Sequence, residues 1–143
     1  MTEFYNEVRD RLIRYAKVDT QSVRNCKDVP TSKKQFDLAR LLLRELEALK
    51  LSDIYLDNEK CVLYAEIPAN VKTKKDLGII AHMDTSPDAP GENCQPWVLN
   101  NYDGGDIVLN KEKNIVMTTS RFPNLLKYTG QDLILTDGQT LLG

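Results

Sequence analysis

Leu77-Gly78-Ile79-Ile80-Ala81-His82-Met83-Asp84 is the stretch on which the fold reading turns. Four apolar side chains and a glycine run together here without the alternation of a half-buried strand. A strand covered on both faces has this pattern, and such strands lie in the middle of α/β sheets. The run ends at His82, the only histidine in 143 residues, and Asp84 follows two positions later. Beyond it, residues 83–106 hold no period and are punctuated by Pro87, Pro90, Gly91, Pro96, Gly104 and Gly105. A structureless stretch of that length is uncommon in a compact domain and usually carries function or is disordered.

Working outward, the flanking patterns are those of helices and short strands. Phe4, Val8 and Leu12 recur every four residues, widened by Ile13 and Tyr15, which predicts a helix over 3–17. Glu7 with Arg11, and Asp10 with Arg14, are i,i+4 pairs of favourable polarity. Residues 18–32 read as a loop, with Thr31 or Ser32 placed to cap a second helix over 33–50. Phe36, Ala39, Leu43 and Leu46 form the core stripe of that helix, broadened by Leu38, Leu41, Leu42 and Leu49. The period then changes to two. Ile54 and Leu56 precede a turn at 57–60, and Cys61, Leu63, Ala65 and Ile67 mark one face of a second strand. Short strands are expected at 107–109, 114–118 and 132–136, with one helical turn after Pro123 and a turn at Asp137-Gly138. The fold class is therefore α/β: a sandwich with a mixed sheet and flanking helices.

Composition narrows the function. Lys and Arg number 19 against 21 Asp and Glu, a net charge of −2 spread along the chain, which argues against nucleic acid as a partner. Lys72, Lys74 and Lys75 form the one basic cluster, read as a solvated turn. No apolar run approaches the roughly 20 residues of a membrane span, and residues 1–7 lack a signal peptide's basic and apolar regions. Cys26, Cys61 and Cys94 are odd in number and far apart, as reduced thiols would be, which points to the cytoplasm.

His82 and Asp84 are the candidate site. In extended backbone, residues i and i+2 point to the same side, and the strand end opening into a loop is where α/β sheets hold ligands. Imidazole is a good zinc ligand, and a neighbouring carboxylate fixes its tautomer. The pair reads equally as a structural histidine with a polar neighbour. With 13 Asp in 143 residues, His-x-Asp arises by chance about once in eleven histidines. Three other features stay open. Trp97 is either loop packing or a pocket aromatic, Gly104-Gly105 either a tight turn or a close ligand approach, and Asp137 either a turn residue or a ligand.

The wider wording of residues 78–88, Gly-Ile-Ile-Ala-His-Met-Asp-Thr-Ser-Pro-Asp, resembles the first metal-site motif of the peptidase T family of bacterial aminotripeptidases. Three further blocks resemble the same family in the same order: residues 14–22, residues 101–110 and residues 136–143. The resemblance spans essentially the whole chain. It implies a two-zinc exopeptidase that releases the N-terminal residue from tripeptides, with His82 a zinc ligand and Asp84 an active-site carboxylate that orients it. In such an enzyme a zinc-activated water attacks the peptide, and a glutamate moves the proton to the leaving amine.

In the family the segment matching residues 136–143 runs on into a bridging aspartate, and the other carboxylate ligands, the second histidine, the base and a lid domain lie further along. Residues 1–143 are therefore expected to be an incomplete N-terminal part of the catalytic domain, inactive alone. The apolar segment 133–142 is expected to support self-association across sheet edges. The alternatives are a free-standing α/β binding or assembly domain, and a related two-zinc dipeptidase or deacylase.

Overall fold

The computed structural model describes residues 2–72 and 75–140. Lys74 of the basic cluster and residues 141–143 of the last family-like block lie outside the described residues. Helix α1 spans Thr2–Ala16 and α2 Gln35–Ala48. The strands are β1 Ser52–Asp57, β2 Val62–Glu66, β3 Trp97–Leu99, β4 Ile107–Asn110, β5 Ile115–Met117 and β6 Leu133–Leu135, with a 3₁₀ helix over Pro123–Tyr128. The chain divides into two compact units, Thr20–Pro87 on one side and residues 1–19 with 88–143 on the other.

In the Thr20–Pro87 unit, α2 lays Phe36 and Ala39 against Leu56 and Cys61, with Leu43, Leu63 and Met83 around them. Ala39 is fully buried, so the helix meets the hairpin at a small side chain. Neither expected cap residue caps α2. Lys34 holds the N-cap position with no side-chain bond, while the Ser32 hydroxyl accepts from Lys34 N–H one step earlier. Thr31 turns toward the preceding loop and accepts from Val23 N–H. At the other end Lys50 takes φ 57°, and the amides of Lys50 and Leu51 donate back to Glu47 and Leu46. This is a left-handed helix stop made without glycine.

Strands β1 and β2 form an antiparallel hairpin. The Asp57 carboxylate accepts from the amides of Glu59 at 2.9 Å and Lys60 at 3.0 Å, which closes the turn. Those bonds hold its carboxyl below the usual range, with the ammonium of Lys60 adding to the effect. The expected inner face of β2 holds for Cys61 and Leu63 but fails beyond them, for Ala65 is exposed and Ile67 is 78% exposed.

Three sequence expectations are corrected here. Residues 77–82 do not form the central strand. They are irregular, and Leu77, Ile79 and Ile80 are 88%, 86% and 97% exposed. A doubly covered strand needs a neighbour along each edge and a layer on each face, and no described strand pairs with this run. The sheet is likewise not one mixed sheet but three two-stranded antiparallel pairs, β1–β2, β3–β6 and β4–β5. The α/β class stands. Third, the stretch read as periodless holds β3, three residues long and too short to show an alternation.

In the other unit β3 pairs with β6 and β4 with β5. Tyr102, Ile107 and Leu125 make its core, with Trp97, Leu99, Leu109, Met117, Leu133 and Leu135 packed around them. Trp97 is thus a packing residue. Gly104 has φ 88°, and a Cβ there would come within 2.9 Å of Thr129 Oγ1, so this glycine makes a tight turn. Asp137 also serves a turn, accepting from Gln139 N–H at 3.1 Å. On α1 Arg11 pairs with Glu7 at 2.7 Å as the spacing predicts, and Asp10 pairs with its neighbour Arg9, with the charge of Arg14 also acting on its carboxyl. The apolar stripe of α1 is open: Phe4 is 73% exposed, Val8 and Leu12 49% each.

Two predictions follow from the helix stop and the hairpin turn. Relieving the left-handed lysine by Lys50→Gly should stabilise the chain by roughly 0.5–1 kcal/mol in urea unfolding, and a loss of stability would contradict the assigned stop. The depressed Asp57 carboxyl stabilises the fold above the unfolded-state carboxylate range, and this contribution disappears as pH falls through its lowered pKa. Asp57→Asn keeps the turn's acceptor but cannot titrate, so its melting temperature should decline less on acidification than that of the parent. Identical acid limbs would contradict the turn's role.

Candidate functional site

The site is built by two short segments of the Thr20–Pro87 unit that lie far apart in sequence. Residues 20–22 and 84–85 run side by side in a parallel bridge, Gln21 opposite Thr85. Ser22 N–H donates to Thr85 C=O at 2.9 Å, and Thr85 N–H donates to Thr20 C=O at 3.2 Å. Thr20 is buried, so this bridge is sheltered on at least one side.

Asp84 sits on this bridge and His82 just before it, and the structure brings these two sequence-selected residues together. His82 Nδ1 lies 2.8 Å from the Asp84 carbonyl oxygen and 3.1 Å from Asp84 Oδ1. Both partners are acceptors, which selects the tautomer with the proton on Nδ1 and leaves Nε2 a lone-pair donor. The imidazole is 84% exposed and the Asp84 side chain 46%. The free nitrogen therefore faces solvent, where a ligand can reach it.

The structure adds residues that sequence reasoning missed. Ser22 Oγ donates to Asp84 Oδ2 at 2.6 Å, a contact across 62 positions. Gln35, buried at the first turn of α2, donates from Nε2 to Ser22 Oγ at 3.3 Å and to Thr31 Oγ1 at 3.4 Å. The Ser22 bond is the largest influence holding the Asp84 carboxyl below its usual range. Burial opposes it, and His82 adds to it. Ser22 was in view as the last residue of the 14–22 block, but nothing local signals its role, because its partner is fixed only when the chain folds.

His82 suits one position in a zinc site: an exposed imidazole, tautomer set, with a carboxylate behind it. The set is incomplete, however. Among the described residues no three His, Cys, Asp or Glu side chains cluster so as to hold a metal, whereas zinc takes about four ligands. The described residues thus fit one ligand position and its support, and do not assemble a two-zinc centre.

A solvent-facing histidine braced by a carboxylate on an α/β chain fits, in its chemistry, one corner of a metal site. No family model matches the chain. Comparison with curated proteins is specific: the chain is 49% identical over 136 residues to a protein named Peptidase T from Alkaliphilus oremlandii, an alignment covering 93% of the chain and 33% of that relative. It is 51% identical over 138 residues to the Peptidase T of Clostridium acetobutylicum, and 49% to that of Clostridium botulinum, with 96% of the chain and 34% of each relative covered. The chain is a homologue of peptidase T along nearly its whole length, and it spans about a third of the length of these relatives.

Proposed function

We propose that this chain is the N-terminal part of the catalytic domain of a zinc-dependent aminotripeptidase, a hydrolase that releases the N-terminal residue from tripeptides. The observation that carries the reading is the conjunction of two facts. The chain is about half identical to proteins named Peptidase T, and its single histidine stands with Nε2 free and Nδ1 held by Asp84.

In this reading His82 ligates one zinc through Nε2, and Asp84 is the active-site carboxylate that orients the ring. Zinc at such a centre supplies Lewis acidity and an activated water. The other ligands and the general base belong to the two thirds of the relatives' length that the chain does not span, so residues 1–143 have no peptidase activity alone. The substrate is a tripeptide, and neither nucleic acid nor membrane is a partner. The net charge of −2 supports the first exclusion, and no described helix is long and apolar enough to cross a bilayer. The three cysteines are free thiols, which supports a cytoplasmic setting. The isolated chain self-associates, as expected from segment 133–142 at its sheet edges, and the exposed apolar side chains of Leu77, Ile79 and Ile80 support this as further surface that contact would bury.

A chimera tests this reading. Residues 1–138 of this chain replace the matching segment of the Clostridium acetobutylicum protein, and tripeptide hydrolysis is measured with and without zinc, beside this chain alone. Zinc-dependent turnover by the chimera is expected, with none from the isolated chain. Asp84→Asn should cost about 10–100-fold and His82→Ala more. A folded chimera without turnover, or one indifferent to His82→Ala, would overturn the proposal.

A further inference from the structure

We propose that Ser22 is a positioning residue for the His82–Asp84 pair: its hydroxyl, steadied by Gln35, locks the Asp84 carboxylate in the rotamer that holds the His82 ring. The observation behind this is a directional chain of donors that runs from the core of the Thr20–Pro87 unit to its surface. Gln35 Nε2–H donates to Ser22 Oγ at 3.3 Å, and Ser22 O–H donates to Asp84 Oδ2 at 2.6 Å. The other carboxylate oxygen, Oδ1, is then the one left facing His82 Nδ1 at 3.1 Å. Each group in the series acts in the sense its chemistry allows, amide N–H to hydroxyl, hydroxyl to carboxylate, ring N–H to carboxylate.

Magnitudes decide which contact governs. The ring is 84% exposed, so its 3.1 Å bond competes with water and does not by itself hold either partner. The Ser22–Asp84 bond is partly buried, and at 2.6 Å it falls in the short class of hydroxyl–carboxylate bonds, roughly twice as strong as neutral ones. Gln35, one of the few buried polar residues, anchors the donor. Geometric control therefore runs outward, from Gln35 through Ser22 and Asp84 to the ring. The Asp84 carbonyl also accepts from Nδ1, and the backbone bridge to residues 20–22 fixes it independently of the Ser22 hydroxyl. Deleting the hydroxyl alone therefore separates the two acceptors.

The functional meaning of this brace rests on the proposed assignment of His82 and Asp84, but the test reads the ring itself. Because the chain has one histidine, nitrogen-15 correlation spectra of the full chain report one imidazole, at a pH where it is neutral. The Nδ1–H tautomer, disfavoured in free histidine, should dominate in the parent. Ser22→Ala should shift the ring measurably toward the free-histidine mixture, the bond to the Asp84 carbonyl retaining part of the Nδ1–H population, whereas Ser22→Thr, which keeps the hydroxyl, should retain the parent tautomer. If Ser22→Ala loses the fold by its amide spectrum, Gln35→Met carries the test, with an intermediate tautomer ratio expected.

An unchanged ratio in folded Ser22→Ala, or in Gln35→Met where that variant is needed, would overturn the proposal and leave the Asp84 carbonyl as the sole brace. Zinc-dependent turnover in the chimera is read separately. A dead chimera with these tautomer shifts sinks the assigned function alone, and an active one without them sinks the Ser22 brace alone.

Discussion

Everything distinctive about the site depends on the backbone bridge between residues 20–22 and 84–85. Without the two bonds that join Ser22 and Thr20 to Thr85, the Ser22 hydroxyl would have no fixed relation to Asp84, and the acceptors that hold the His82 ring would lose their anchor. Two ordinary amide bonds are each worth only about 1 kcal/mol net. Their value here is geometric, because they set the register that places a side chain from one segment within hydrogen-bonding distance of a side chain from another.

This arrangement replaces the support that the apolar run itself was expected to give. Residues 77–81 have the composition of an inner strand, yet Ile80 is 97% exposed. A pattern of that kind states what the segment requires, apolar cover on both faces, and not which part of a molecule provides it. The same holds for α1, whose stripe at Phe4, Val8 and Leu12 faces outward. Both segments are apolar surfaces of a chain that spans about a third of its relatives' length. Where α2 closes locally on the turn end of the β1–β2 hairpin, the packed residues Phe36, Ala39, Leu43, Leu56, Cys61 and Leu63 match their sequence pattern.

That contrast explains what was legible in the sequence. Helix periodicity located α1 and α2 to within a few residues, period-two runs located β1 and β2, and short apolar stretches located β4, β5 and β6, because each signal is contained in a window of neighbours. The caps were misassigned because Thr31 and Ser32 satisfy other amides in the loop, an alternative that local rules rank no lower. Strand β3 was missed since three residues carry no period. At the site, His82 and Asp84 were visible because their relation is local, two residues apart in extended chain. Ser22 and Gln35 were not, because the bond from Ser22 to Asp84 exists only once segments 62 positions apart are joined, and Gln35 reaches the pair only through Ser22. Spacing alone left open the choice between a structural histidine and a ligand, and only the family resemblance favoured the ligand.

The central claim is that the His82–Asp84 pair is held by the bridge and not by a strand running through residues 77–81. Amide hydrogen exchange on the chain tests it directly, since protection follows backbone hydrogen bonding. The account predicts protected amides at Ser22 and Thr85 beside freely exchanging amides from Gly78 to Ala81. Protection across Gly78–Ala81 with rapid exchange at Ser22 and Thr85 would contradict it.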